Sequence, residues 1–171
     1  RLGDVCSFDK HTGNHAGLPY VGMEDIESNT GQFIGDLSPR EMKSSTFKFT
    51  PKHVLYGRLR PYLNKVIVPN FNGHCSSEIF PILPNELVLQ KYLQYWLLMD
   101  STVSMIDATS TGTRMPRANM KLVLEFEIPI PPLEEQQRIV SILDEAFENI
   151  SNSSKRVEQK LIDAKELFSS L

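Results

Sequence analysis

The stretch PIPPLEEQQRIV at residues 129–140 constrains the chain more than any other. Proline lacks the N–H donor and fixes φ, so this cluster fits neither a helix interior nor a central strand. Pro131 and Pro132 suit a helix start, where the N–H has no intrahelical partner anyway. Glu134 and Glu135 then fall in the first turn, where negative charge complements the helix dipole. A mixed, strand-rich sequence lies before this seam and an uninterrupted helical pattern after it. The expected division is a globular domain over residues 1–130 and a helix over residues 131–171.

The 171 residues suffice for one ordinary domain plus an extension, and the apolar content of 40% is that of a folded protein. No apolar run approaches the ~20 residues that span a bilayer; the longest, residues 92–99, is bounded by Lys91 and Asp100. No signal peptide is evident, and a chain starting at Arg1 reads as processed, trimmed or partial. Two cysteines, Cys6 and Cys75, make no disulfide framework, so a reduced, cytoplasmic setting is expected.

Along the chain, residues 2–8 alternate and read as a strand, residues 10–17 as a turn-rich loop, and Tyr20-Val21 as a short buried strand. Ser38-Pro39-Arg40-Glu41 has the capping-box pattern of a short helix. Strands are expected at residues 54–56, 66–68 and 77–83, the last closed by Pro84. Leu89, Tyr92, Leu93, Trp96 and Leu97 have helical spacing over residues 87–99. Ser101 is placed to cap a second short helix. Residues 108–113 form a small, polar loop, and residues 126–130 read as a last strand. Strands and helices in no regular βαβ order imply an α+β domain.

Beyond the seam a 4–3 spacing runs through Ile139, Leu143, Ala146, Ile150, Ser153, Val157, Lys160, Ala164, Leu167 and Leu171, the pattern of a coiled-coil helix. At ~1.5 Å per residue, residues 133–171 would extend roughly 58 Å, beyond the span of a domain this size. Such a helix takes its stability from a partner.

The net charge of −3 does not argue against a nucleic-acid partner, because residues 1–128 hold 13 basic and 13 acidic side chains while residues 129–171 hold 5 and 8. Inside the neutral part, residues 40–65 carry Arg40, Lys43, Lys48, Lys52, Arg58, Arg60 and Lys65 against the single acid Glu41, and residues 108–124 carry Arg114, Arg117 and Lys121 against none. Two such islands could form a positive face, with Tyr56, Tyr62 and Thr113 among them. Arg114 and Arg117, in a polar loop without nearby acids, are the stronger expected DNA contacts. Arg58 and Arg60 either touch DNA or pair with Glu78 or Asp36.

Catalytic patterns are weak. His11 and His15 lie four apart in a Gly/Asn loop, and Cys6, His74 and Cys75 add no CxxC or HExxH spacing, so ordinary histidines are expected. Asp25 with Glu41-Met42-Lys43 loosely matches the acid…ExK layout of metal-dependent nucleases. Residues 109–113 lack the GK[ST] of a phosphate loop, and no adenine-methylation tetrad occurs. The residues suggest a non-catalytic binding protein. An oligomerisation or adaptor module that binds protein is the alternative, and a metal-dependent nuclease the more remote one.

Several stretches together carry a resemblance: LGDV at residues 2–5, YVGMEDI at 20–26, VLYGRLRPYLNKV at 54–66, CSSEIF at 75–80, GTR at 112–114, and IPIPPLEEQ at 128–136. The chain resembles the specificity subunit of type I restriction–modification systems, with one target recognition domain and one helical spacer where a full subunit has two of each. The resemblance implies a non-catalytic protein without a cofactor of its own. It would read one half of a split double-stranded DNA target. It would also hold methyltransferase subunits, which use S-adenosylmethionine, and translocase–nuclease subunits, which use ATP. A half-subunit would form a homodimer by pairing its helix antiparallel with a second copy; a fragment would pair with the other spacer.

Overall fold

The computed structural model describes residues 1–13, 15 and 17–169. Its elements in chain order are helix α1 (Leu2–Val5), strands β1 (Cys6–Phe8), β2 (Thr12–Gly13), β3 (Tyr20–Val21), β4 (Thr46–Phe49), β5 (Val54–Gly57), β6 (Val66–Ile67), β7 (Gly73–Ser76) and β8 (Ile79–Pro84), then helices α2 (Gln90–Leu98), α3 (Asp100–Asp107), α4 (Met120–Val123) and α5 (Leu133–Ser169). The fold is α+β. One sheet has the order β1-β8-β5-β6 and is antiparallel throughout; the other has the order β2-β4-β7-β3, with β3 parallel to β7.

The first sheet is covered on both faces, which explains its continuous apolar strands. Side chains alternate across a strand, so Val54, Tyr56, Val66, Phe80 and Ile82 face the helices, where they meet Leu2, Leu93, Trp96, Leu97, Ile106 and Val123. Leu55, Ile67 and Ile79 point the other way and meet Val21, Ile26, Phe49 and Cys75 of the second layer. Fully burying each such side chain contributes roughly 1.5–3 kcal/mol, so the two-sided strand β5 is the centre of the fold. Gly73 permits the tight join of the second sheet, since a Cβ there would lie 2.7 Å from the Pro19 carbonyl oxygen.

Several sequence expectations are corrected. Leu2–Val5 is helical rather than a strand: Leu2 and Val5 are both buried at i,i+3 spacing, and the Leu2 and Gly3 N–H groups donate to the Phe126 and Leu124 carbonyls. Ser38 starts no helix; Pro39 instead bridges Pro19, because no apolar run follows to give a helix a buried face. Residues 126–130 are not a strand, and their carbonyls accept from Leu2 and from the Tyr92 hydroxyl. Ser101 lies inside α3, whose N-cap position is Met99.

Helix α5 begins at Leu133, two residues later than expected, with Pro131 and Pro132 just before its first turn, and it does not leave the domain there. Gln136 is fully buried and Val140 nearly so. The Gln136 Nε2 donates to the Leu87 and Pro131 carbonyls at 2.8 and 2.9 Å, and its Oε1 accepts from the Leu89 N–H at 2.9 Å. Leu89 is the N-cap of α2 and offers no side-chain cap, so Gln136 does that task from another helix. Four turns of α5 then lie along α2. Tyr95 stacks on Phe147 with centroids 5.6 Å apart and donates its hydroxyl to Asp144, and Lys91 approaches Asp144 at 3.6 Å. Beyond Phe147 almost every described side chain is exposed.

Candidate nucleic-acid interface

Residues 111–117 form a closed loop. The Thr111 N–H donates to the Arg117 carbonyl and the Arg117 N–H returns to Thr111, at 3.1 and 3.0 Å. Gly112 sits at φ +97°, a conformation that side chains disfavour, and it turns the chain at the loop's entry. The loop is then tied to the first basic island. The Arg60 N–H donates to the Pro116 carbonyl at 2.7 Å, and the Ala118 N–H to the Arg58 carbonyl at 2.9 Å. Arg60 itself is held at φ +50°, costing of order 1 kcal/mol, and the Pro61–Leu63 turn and the Pro116 contact keep it there.

Glu78 is the electrostatic centre of this knot. Arg117 donates from Nε and Nη2 to Glu78 Oε1 at 2.9 and 2.8 Å, and Arg58 donates from Nε to Oε2 at 3.1 Å. Partial burial pushes the Glu78 carboxyl up, but the hydrogen bonds and charges of Arg117 and Arg58 outweigh it and hold the group below the ordinary carboxylate range. The sequence islands around residues 58 and 117 therefore meet in space through an acid that belongs to neither.

Beside this knot is a cleft of about 350 Å³ whose lining includes Lys10, Arg58, Phe80, Arg117, Asn119 and Lys121. Lys10 and Arg58 both lie over the Phe80 ring, at 4.4 and 5.1 Å from its centroid. Among the described residues that line it, four are cations and none is an acid, although Arg58 and Arg117 share Glu78, a surplus suited to phosphate.

The expected contact residues divide into three groups. Arg114 and Thr113 are exposed on the loop, and Arg114 makes no ion pair among the described residues. Arg117 and Arg58 are turned onto Glu78 and serve the loop's shape, although their guanidinium edges remain partly accessible. Arg60 is exposed at the loop's foot. Lys43, Lys48 and Lys52 are exposed elsewhere: Lys43 before β4, Lys48 on β4, and Lys52 in the β4–β5 turn. Phe47 reaches the Phe80 ring, at 6.3 Å between centroids, so alternation along β4 sends Lys48 away from the cleft. Lys10 and Phe80 escaped sequence reading because roughly 100 and 30 residues, respectively, separate them from the loop they join.

Asp25 and Glu41 do not assemble a metal site. The Asp25 carboxylate accepts from the Gly22 N–H at 2.8 Å and faces Arg40 at 3.7 Å, while Glu41 is exposed. Among the described residues no group of three His, Cys, Asp or Glu side chains is placed to hold a metal ion. His74 is buried, with Nδ1 2.9 Å from the Thr46 hydroxyl and Nε2 3.0 Å from the Arg40 carbonyl. No helix among the described residues is long and apolar enough to cross a membrane.

On α5 the expected coiled-coil positions also divide. Ile139 and Leu143 face the domain and line an apolar cleft with Tyr92, Tyr95, Trp96 and Met99. Ala146, Ile150, Val157, Ala164 and Leu167 are exposed, and Leu171 lies outside the described residues. Among the large exposed apolar side chains of α5, Phe147, Ile150, Val157, Leu161 and Phe168 follow a 3–4 spacing, while Ile142, Ile162 and Leu167 lie off it. That stripe shares Ile150, Val157 and Ala164 with the sequence reading but replaces Lys160 by Leu161 and Leu167 by Phe168, removing a charge from the seam.

Comparison with known proteins gives a consistent picture. A family model described as the type I restriction modification DNA specificity domain matches residues 1–161. The EcoDI specificity subunit of Escherichia coli is 28% identical over 173 residues, which cover 100% of this chain and 38% of that protein. The EcoR124I/EcoR124II specificity subunit of Escherichia coli is 35% identical over 142 residues, covering 80% of this chain and 35% of the relative. Among solved structures, a chain from work on complex assembly and conformational transition of the type I R-M system superposes with a TM-score of 0.73 and 25% identity, covering 91% of this chain and 43% of that one. The HsdS subunit of Thermoanaerobacter tengcongensis has the same fold, with a TM-score of 0.70 and 24% identity over 89% of this chain and 42% of that one. The chain thus spans well under half the length of these relatives.

Proposed function

Because this chain belongs to the type I restriction modification DNA specificity family, we propose that it reads one half of a bipartite double-stranded DNA target and carries no catalytic group of its own. The observation that supports this most directly is the loop of residues 111–117, which presents Arg114 beside a cation-lined cleft. Arginine on a loop fixed from both sides is suited to a guanine edge, and Lys10 and Lys121 are suited to the flanking phosphates. The globular part would be the target recognition domain and α5 the spacer. The full assembly would add methyltransferase subunits and restriction–translocase subunits, in the cytoplasm.

Sequencing DNA enriched from a random pool by the assembled complex tests the reading. A defined half-site is expected; enrichment of no sequence would overturn it. Arg114→Ala is expected to weaken binding by ~1–3 kcal/mol and to relax one position of the half-site. Lys10→Ala is expected to weaken all sequences alike and to flatten the salt dependence by about one unit, measured by titration at several salt concentrations. Lys48→Ala, on the opposite face of β4, is the comparison and should change neither.

A further inference from the structure

Resting on the reading of the cation-lined cleft as the DNA face, we propose that Asn119 reads one base position of the half-site, and reads it by exclusion. Its side-chain amide presents a donor and no acceptor, so on the strand it faces it admits guanine, adenine or thymine and rejects cytosine.

Two observations carry this. The first is that every polar group of Asn119 but one is already engaged. Its backbone N–H donates to the Thr109 hydroxyl at 3.0 Å, and that hydroxyl donates in turn to the Ile106 carbonyl at 2.7 Å. Its backbone carbonyl accepts from the Leu122 and Val123 N–H groups at 2.9 and 3.1 Å. Its side-chain Oδ1 accepts from the Lys121 N–H at 3.2 Å, which caps α4. A backbone N–H only donates, so the oxygen has to face Lys121 and the amide is not free to flip. That leaves the Nδ2 amino group, which donates to nothing among the described residues.

The second is where that group lies. Asn119 is exposed and lines the cleft with Lys10, Arg58, Arg117 and Lys121, side chains that hold donors only. The one other side-chain oxygen among the described lining residues is the Thr111 hydroxyl. Asn119 follows the closed loop of residues 111–117, and the Ala118 N–H between them is pinned to the Arg58 carbonyl at 2.9 Å, so it is placed as firmly as the loop. Long cationic side chains suit phosphate; a short neutral amide fixed in direction suits a base edge. In the major groove guanine presents O6 and N7 as acceptors, adenine N7 and thymine O4, whereas cytosine presents only its N4 amine. A fixed donor satisfies the first three. It meets cytosine donor to donor, which leaves both groups desolvated and unpaired.

Asn119→Asp puts an acceptor in place of the lone donor and keeps the cap, because aspartate caps a helix as well as asparagine does. The assembled complex is titrated with the enriched half-site and each of its single-base variants. In the unaltered protein one position, distinct from the one that Arg114→Ala relaxes, should bind cytosine about tenfold or more weakly than any other base. In Asn119→Asp the order there should invert, with cytosine bound about tenfold more tightly than the rest, since a carboxylate accepts from N4. Asn119→Ser also keeps the cap, and its hydroxyl pairs with either kind of edge, so the four bases should come within about threefold. A base order unchanged in both variants, with all duplexes weakened alike, would overturn the inference and put Asn119 on phosphate, while the position of Arg114 and the recognition reading stand. A change confined to the position of Arg114 would overturn it equally. If the random pool yields no half-site, the recognition reading falls and this one with it.

Discussion

Gln136→Leu is expected to lower the unfolding free energy by about 3 kcal/mol and the thermal midpoint by roughly 6–12 °C. The side chain is fully buried and satisfies the Leu89 N–H together with the Leu87 and Pro131 carbonyls. Leucine has nearly the same volume, so packing is kept while three part-buried backbone groups lose their partner. Each such loss costs ~1–3 kcal/mol when water cannot enter, and partial relaxation brings the sum down. Tyr92→Phe is the contrast: it removes one exposed bond to the Pro129 carbonyl and should cost at most about 1 kcal/mol. A loss below about 1 kcal/mol for Gln136→Leu would mean that water or a shifted loop replaces the amide.

Glu78→Ala is expected to cost about 2 kcal/mol, because it leaves two arginines facing each other without the acid that holds them. The group is 21% exposed on its side chain, so solvent screens part of the cost. The larger consequence is for DNA, since Arg117 and Arg58 fix the loop that carries Arg114. Selectivity between the best half-site and a one-base variant should fall about tenfold, while non-specific affinity, now with two unpaired cations, is kept or rises. Unchanged selectivity would show that the loop holds its shape without Glu78. Acid titration gives a second readout. The folded pKa of Glu78 lies below its ordinary 4.5, so its contribution is complete above that value and is lost as pH falls through the lower folded one. In Glu78→Gln, stability should therefore decline less steeply below pH 4.5 than in the unaltered protein, as followed by denaturant unfolding.

The strands β5, β6 and β8 were legible because both of their faces are buried, which leaves continuous apolar runs. The start of α5 was legible because prolines and first-turn acids mark it chemically. The second sheet was largely not: β4 and β7 are four residues each, and Thr46, His74 and Lys48 interrupt any apolar signal. The first residues were misread because Leu2 and Val5 satisfy a helical i,i+3 spacing, while a four-residue alternation around them looks equally like a strand. At the interface, the Arg58–Glu78 pair was among the sequence alternatives. The second use of Glu78 by Arg117 was not visible, since it depends on loop closure across 39 residues. The role of Gln136 was hidden for a similar reason. A glutamine in a helix's first turns looks solvated until the α2 N-terminus is placed over it.

The four turns of α5 that lie along α2 also set a mechanical tolerance. From Phe147 to Phe168 the helix runs on for roughly 32 Å, so each degree of rotation at its base swings the far end by about half an ångström. One base-pair step of DNA, about 3.4 Å, corresponds to roughly six degrees of slack. The stacked Tyr95–Phe147 pair and the buried Gln136 act as the bearing of this lever arm. Proline alone would fix only the first turn. On the proposed reading of α5 as the spacer, loosening the bearing would turn a ruler into a tether while leaving the proposed DNA-facing loop untouched.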